Sequence, residues 1–121
     1  MVKDNNLVKD KSEAFALRIV NLYRYLTTRA EVKEFVLSKQ LLRSGTSIGA
    51  NIAETEFAIS KDDFKAKLYI ALKESNESLY WIRLLHKSNY LSDQEFKSLY
   101  SDCEELLKLL VAITKSLKSN L

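Results

Sequence analysis

Proline is missing from this 121-residue chain, and glycine occurs only at Gly45 and Gly49. With so little turn chemistry, hairpins and meanders have almost nothing to be built from, and the chain reads as all helix. The one cysteine, Cys103, has no partner for an intramolecular disulfide, and the opening stretch MVKDNNLVKD lacks the apolar core of a secretory signal. A reduced, cytoplasmic location is the expectation. No apolar run approaches the ~20 residues that span a membrane, so no membrane partner is expected. The single histidine, His86, has Arg83 three residues before it. The di-iron bundle pattern needs Glu-x-x-His on two helices, so no metal and no cofactor are expected.

What is present is a composition of 46% hydrophobic and 29% charged residues. It suits one domain over residues 1–121 that removes about two-thirds of its chain surface from water. Apolar periodicity marks four helices, at about 12–30, 38–58, 61–88 and 92–119. The first carries Phe15, Ile19, Leu22, Tyr23 and Leu26 at helical spacing. Ser38 is the expected N-cap of the second and Ser60 that of the third, with Asp62 and Asp63 at the positive helix end. Ser92 and Glu95 form a capping box ahead of the fourth. There Phe96, Leu99, Cys103, Leu106, Leu110, Ile113 and Leu117 alternate by three and four. Short connections make neighbours antiparallel, and the expected fold is all-α, an up-and-down four-helix bundle.

Both glycines lie within LLRSGTSIGANIAE, residues 41–54. A phosphate-cradling loop would need a preceding strand and a Gly-Lys-Ser/Thr ending, and neither is present. On a helix, Leu41, Gly45, Ile48 and Ile52 share one face, while Leu42, Thr46, Gly49, Ala53 and Phe57 share another about 120° away. Each mid-helix glycine costs up to ~1 kcal/mol relative to alanine, and a close helix approach at Gly45, Gly49 and Ala53 would offset it. The third helix is also two-faced. Phe64, Leu68, Leu72, Ser75, Leu79 and Ile82 form one stripe, and Ala66, Ile70, Trp81 and Leu84 a second. A lone bundle needs one stripe per helix, so the second faces point to contact between copies, anchored by Trp81. A thicker core around the middle helices is the alternative.

The remaining face of the second helix is polar, with Gln40, Arg43, Ser47, Asn51 and Glu54. If it meets Glu74 and Glu77, Arg43 pairs with a carboxylate while Ser47 and Asn51 bridge. Such a network either fixes register or subunit partner, or forms a binding site. His86 reads as packed or partly solvated, and Cys103 on the apolar seam as inert core. No Ser-His-Asp set can be argued, and no enzyme is expected. On the third helix Lys65, Tyr69, Lys73, Asn76, Tyr80, Arg83 and Lys87 line the side away from both stripes. Such a face either is ordinary solvated surface or binds RNA or single-stranded DNA, with cations on phosphates and tyrosines on bases. Arg18 and Arg24 would help if the first helix lies alongside. Net charge is only +3 per chain, a value that repetition around an oligomer multiplies.

The segments SKQLLRSGTSIGANIAE and ALKESNESLYWIRLL resemble the bacterial four-helix-bundle family that includes proteins encoded in intervening sequences of 23S rRNA genes. The accessory variability determinant of diversity-generating retroelements shares that family fold. The resemblance covers about residues 11–118. It implies an antiparallel bundle assembled as a homo-oligomeric ring, typically a homopentamer. In the retroelement relatives it implies a basic surface that binds nucleic acid and a protein partner, a reverse transcriptase. Arg43, Ser47, Asn51 and Glu54 match the family's polar positions on the second helix, and Glu77 its acid on the third. Thr55 stands where the family often has glycine after NIAE, so the second helix is expected to run on there. Nucleic-acid-binding adaptor and protein scaffold are the two functions this leaves.

Overall fold

The chain folds, in a computed structural model, as α1 (Val2–Thr28), α2 (Leu37–Glu54), α3 (Lys61–Lys87) and α4 (Asp93–Ser119), with one 3-10 turn, Thr55–Phe57, after α2. Residues 2–29 and 31–119 are described, with side chains from residue 6 to residue 117; Ala30, the expected end of the first helix, lies outside the described residues. Each helix packs on the next, and α4 returns to α1. Paired contacts run in opposite order, Ser12 with Gly49 and Ile19 with Gly45, Arg43 with Glu77 and Glu54 with Lys67, Arg83 with Tyr100 and His86 with Phe96, so neighbours are antiparallel. Among the described residues α1 and α3 share no close backbone approach, so they occupy opposite corners of an up-and-down bundle.

The core stripes fall where the periodicity puts them. Leu41, Ile48 and Ile52 of α2, Leu68, Leu79 and Ile82 of α3, and Leu99, Cys103, Leu106, Leu110 and Ile113 of α4 are all buried. Each large aliphatic among them contributes about 1.5–3 kcal/mol through burial. The second faces are less covered. On α3, Ala66 and Ile70 are exposed and Trp81 and Leu84 half-buried, while Phe57 at the end of the second α2 row is 83% exposed.

The close approach is between α2 and α1. A Cβ on Gly45 would lie 3.0 Å from Ile19 Cγ1, and one on Gly49 would lie 3.3 Å from Ser12 Oγ and 3.5 Å from the Ser12 carbonyl oxygen. Ser12 is itself buried, its hydroxyl donating to the Lys9 carbonyl at 2.9 Å. Ala53 and Trp81 take no part in this approach: Ala53 is exposed one turn beyond Gly49, and Trp81 lies on α3, half-buried against the core.

Three expected boundaries are corrected. First, α1 begins at Val2 rather than near Ser12, because nothing in the opening residues breaks a helix and Val8 is fully buried as an extra core anchor. Second, α2 ends at Glu54 and tightens into the 3-10 turn, with Ala58 extended, so the helix does not run to Ala58. Third, Ser38 does not cap α2. The Glu34 carboxylate accepts from the backbone N–H groups of Val36 and Leu37, both at 2.9 Å, and of Ser38 at 2.6 Å, while the Ser38 hydroxyl donates back to the Glu34 carbonyl. An acid at a helix N-terminus also meets the favourable end of the dipole. By contrast Ser60 caps α3 through Asp63 N–H at 3.0 Å, and the Ser92–Glu95 box closes in both directions, at 2.8 and 3.1 Å.

The Glu34 cap makes a pH prediction. Burial raises the pKa of this carboxyl, but the N–H bonds from Ser38, Leu37 and Val36 outweigh it, and the group sits below its ordinary 4.5. A depressed folded pKa means stability present above the unfolded value and lost as pH falls from about 4.5 through the folded one. Glu34→Gln is expected to cost about 1 kcal/mol at neutral pH. In urea melts at several pH values, that difference should shrink on acidification below about 4.5. A difference constant down to strongly acid pH refutes the assignment.

Candidate nucleic-acid interface and the polar seam

The outward side of α3 carries the cation and tyrosine row read from the sequence. Lys73 and Lys87 are exposed, Lys65 and Arg83 half-buried, and Tyr69 and Tyr80 are 37% and 47% exposed. Helical spacing keeps these side chains on one face, turned from the core by the buried Leu68, Leu79 and Ile82. Among the described residues none of Lys65, Lys73 and Lys87 is held in an ion pair, whereas Lys67 is spent on Glu54 at 3.1 Å. Those three lysines are therefore available to an anion.

Arg18 and Arg24 do not join it. Because α1 is at the opposite corner, Arg18 turns to α4, pairing with Asp102 at 2.6 Å and donating to the Ser98 carbonyl at 3.4 Å. Arg24 is exposed on α1, away from α3. The condition attached to these two arginines is not met.

Along α3 towards α4 lie groups that the row did not include. Arg83 is 5.9 Å from the Tyr80 ring centroid and donates from Nη1 to the Tyr100 hydroxyl at 3.4 Å. The Tyr100 ring lies 5.2 Å from Phe96, and Phe96 is stacked on His86 at 4.1 Å with 12° between planes. His86 Nε2 is 2.7 Å from Asp93 Oδ1, and this hydrogen bond and charge hold the Asp93 carboxyl below its usual range. Tyr80 also meets Trp81 edge-on at 5.0 Å. Tyr100 was legible only as the i+4 neighbour of Phe96, and nothing local says that it faces Arg83.

Between α2 and α3 the Arg43–carboxylate part of the polar seam forms, and the bridging part does not. Arg43 pairs closely with Glu77, and its Nη1 lies 3.8 Å from Glu74 Oε2. Trp81 Nε1–H donates to Glu77 Oε2 at 3.1 Å, tying the indole into the pair. Glu74 is only 6% exposed, and its Oε2 is buried without a hydrogen bond. Beneath it the Ser44 and Ser78 hydroxyls meet at 2.8 Å. Ser47 and Asn51 do not bridge Arg43 to an acid: the Asn51 amide donates to the Ser47 carbonyl and hydroxyl, at 2.9 and 3.1 Å. Glu54, at the far end, takes Lys67 instead.

At Cys103 the surroundings do not favour a nucleophile. Cys103 is fully buried with Sγ 3.4 Å from the Ser75 carbonyl, and desolvation, with Asp102 nearby, pushes its thiol up to about 12. A thiolate does not form there at neutral pH. Among the described residues no helix is long and apolar enough to cross a membrane.

Comparison with known proteins fits this architecture. Residues 4–112 match the profile of the family described as 23S rRNA-intervening sequence protein. A solved structure described as a protein with unknown function from the S23 ribosomal protein family of Bacteroides thetaiotaomicron VPI-5482 is 55% identical, with a TM-score of 0.88. The match covers 93% of this chain and 98% of that one. No curated protein matches.

Proposed function

This chain belongs to the 23S rRNA-intervening sequence protein family, and from that premise we propose that it is a non-enzymatic, self-assembling bundle that binds RNA or single-stranded DNA through the outward side of α3. The observation that carries this reading is the row of Lys65, Lys73, Arg83 and Lys87, interleaved with Tyr69 and Tyr80 and clear of the core. Cations at this spacing neutralise successive phosphates, and exposed tyrosines offer stacking faces. By the resemblance, the retroelement relatives bind nucleic acid through a basic surface, although no motif of theirs assigns a role to any residue of this row. Assembly as a closed ring, five copies by that resemblance, sums a small charge per chain into a substantial field. Half-exposed Trp81 and exposed Ile70 on α3 and Phe57 after α2 are the apolar groups that contact between copies would cover. In the retroelement relatives the bundle is an adaptor for a protein partner, and the same role is proposed here.

Light scattering on a size-exclusion column tests assembly; a clean monomer mass of 13.9 kDa at micromolar concentration refutes the ring. Salt-titrated fluorescence anisotropy tests binding. Affinity for a labelled single strand should fall with salt at a log-log slope near ~0.7 per neutralised phosphate. Reversing Lys73 and Arg83 together to Glu should flatten that slope while the circular dichroism stays helical. Absence of binding at about 50 mM salt, or binding indifferent to the reversal, leaves the protein-scaffold reading in its place.

A further inference from the structure

The contacts along the α3–α4 edge form an unbroken succession of flat groups: Tyr80, Arg83, Tyr100, Phe96 and His86. The links are a cation–ring approach of 5.9 Å, a hydrogen bond of 3.4 Å and two ring contacts, with Tyr100 and Phe96 coming from α4 and the others from α3. Lys73 stands below this edge and Lys87 above it, both exposed. Arg83 is the hinge of the arrangement. It is fixed between two tyrosines, and a planar guanidinium held in this way is itself a stacking surface as well as a charge.

A duplex hides its base faces and offers only phosphates to such an edge, whereas an unpaired strand offers both. Resting on the reading that the α3 side binds nucleic acid, we propose that Tyr80 and Arg83, backed by Tyr100, Phe96 and His86, form a short base-stacking track for one or two unpaired nucleotides, which makes the protein select single strands over duplex. Tyr80, the most exposed ring of the succession, takes the first base, and Arg83 carries the adjoining phosphate or the next base. Phe96 and His86 are more covered and act as the floor that holds Tyr100 and Arg83 in place.

The test uses the full chain, a fluorescein-labelled oligouridine and a blunt duplex of the same length, in low-salt anisotropy titrations. Tyr80→Leu keeps apolar bulk and removes the ring; Arg83→Lys keeps charge and removes the plane. The expected result is tighter binding of the single strand than of the duplex. Tyr80→Leu should weaken single-strand binding about 5- to 150-fold, with duplex binding unchanged. Arg83→Lys should weaken it in the same direction without altering the salt slope. Trp81 is the only tryptophan and touches Tyr80 edge-on, so its emission should change when the strand binds and respond less in Tyr80→Leu. Equal affinity for both probes, or no loss in Tyr80→Leu, overturns the stacking track while leaving a charge-only interface standing. Failure to bind either probe overturns both. A Tyr80→Leu chain whose assembly mass changes instead of its affinity assigns this edge to a contact between copies and also overturns the proposal.

Discussion

Leucine at Gly45 is expected to lower stability by about 2 kcal/mol, and by more if the core cannot relax. Gly45 is buried, and even a methyl group there would stand 3.0 Å from Ile19 Cγ1 and 3.2 Å from its Cγ2. Ile19 is 1% exposed and has nowhere to move. Overpacking of this kind costs about 1–3 kcal/mol, occasionally more, and relief of the glycine's helix penalty returns at most ~1 kcal/mol. For a chain of this size the melting temperature should fall by roughly 5–12 °C. Gly49→Ala is the contrasting case. Its methyl meets the Ser12 hydroxyl at 3.3 Å, and that buried hydroxyl is held by the Lys9 carbonyl, so the gain in helix propensity of up to ~1 kcal/mol is offset and the net change is expected to stay within about 1 kcal/mol. Adding Ile19→Ala to Gly45→Leu should recover part of the loss, because the second change vacates the volume that the first requires. Thermal and urea melts followed by circular dichroism check all three. A Gly45→Leu chain as stable as the parent removes the close-approach account of these glycines.

The second large effect is expected at Arg43. Its guanidinium is the cation beside Glu74, whose Oε2 is buried without a hydrogen bond, and it also holds Glu77. Arg43→Met leaves a buried acid with no neutralising group, a change costing about 1–2 kcal/mol once the 57% exposure of the arginine side chain is allowed for. The double variant Arg43→Met, Glu74→Met should recover most of it. With the buried carboxylate gone, nothing at that position is left without a neutralising group. Urea denaturation of the two single variants and the double gives the coupling directly. Additive losses across the cycle mean that Arg43 and Glu74 do not interact.

These two cases mark how far the residues could be read alone. Helical spacing puts Arg43 and the two acids on faces that can meet once α2 and α3 are antiparallel neighbours, and the α2–α3 register decides that they do. That Ser47 and Asn51 satisfy each other could not be foreseen, since the choice between a local i+4 bond and a cross-helix bridge depends on helix separation. The opening turns of α1 were hidden because Val8 is a lone apolar anchor in a polar stretch, and its partner surface lies elsewhere in the chain. Glu34 escaped notice for a related reason. A carboxylate two residues ahead of the cap serves the helix only when the loop folds it back over the first turn.

The number of helices, the stripes that form the core, the Ser60 and Ser92 caps and the outward row on α3 were determined by the sequence alone. All of them are local or periodic, and a 3.6-residue repeat sorts side chains into faces wherever a helix forms. Only the tertiary structure decided which glycine is the tighter contact, that Arg18 is taken by Asp102, and that Tyr100 and Phe96 complete the edge beside Arg83. Those outcomes depend on the axial offset and rotation between helices far apart in the chain. A shift of a few ångströms, well under one helical turn, would change every such pair while leaving each helix's own pattern as it is.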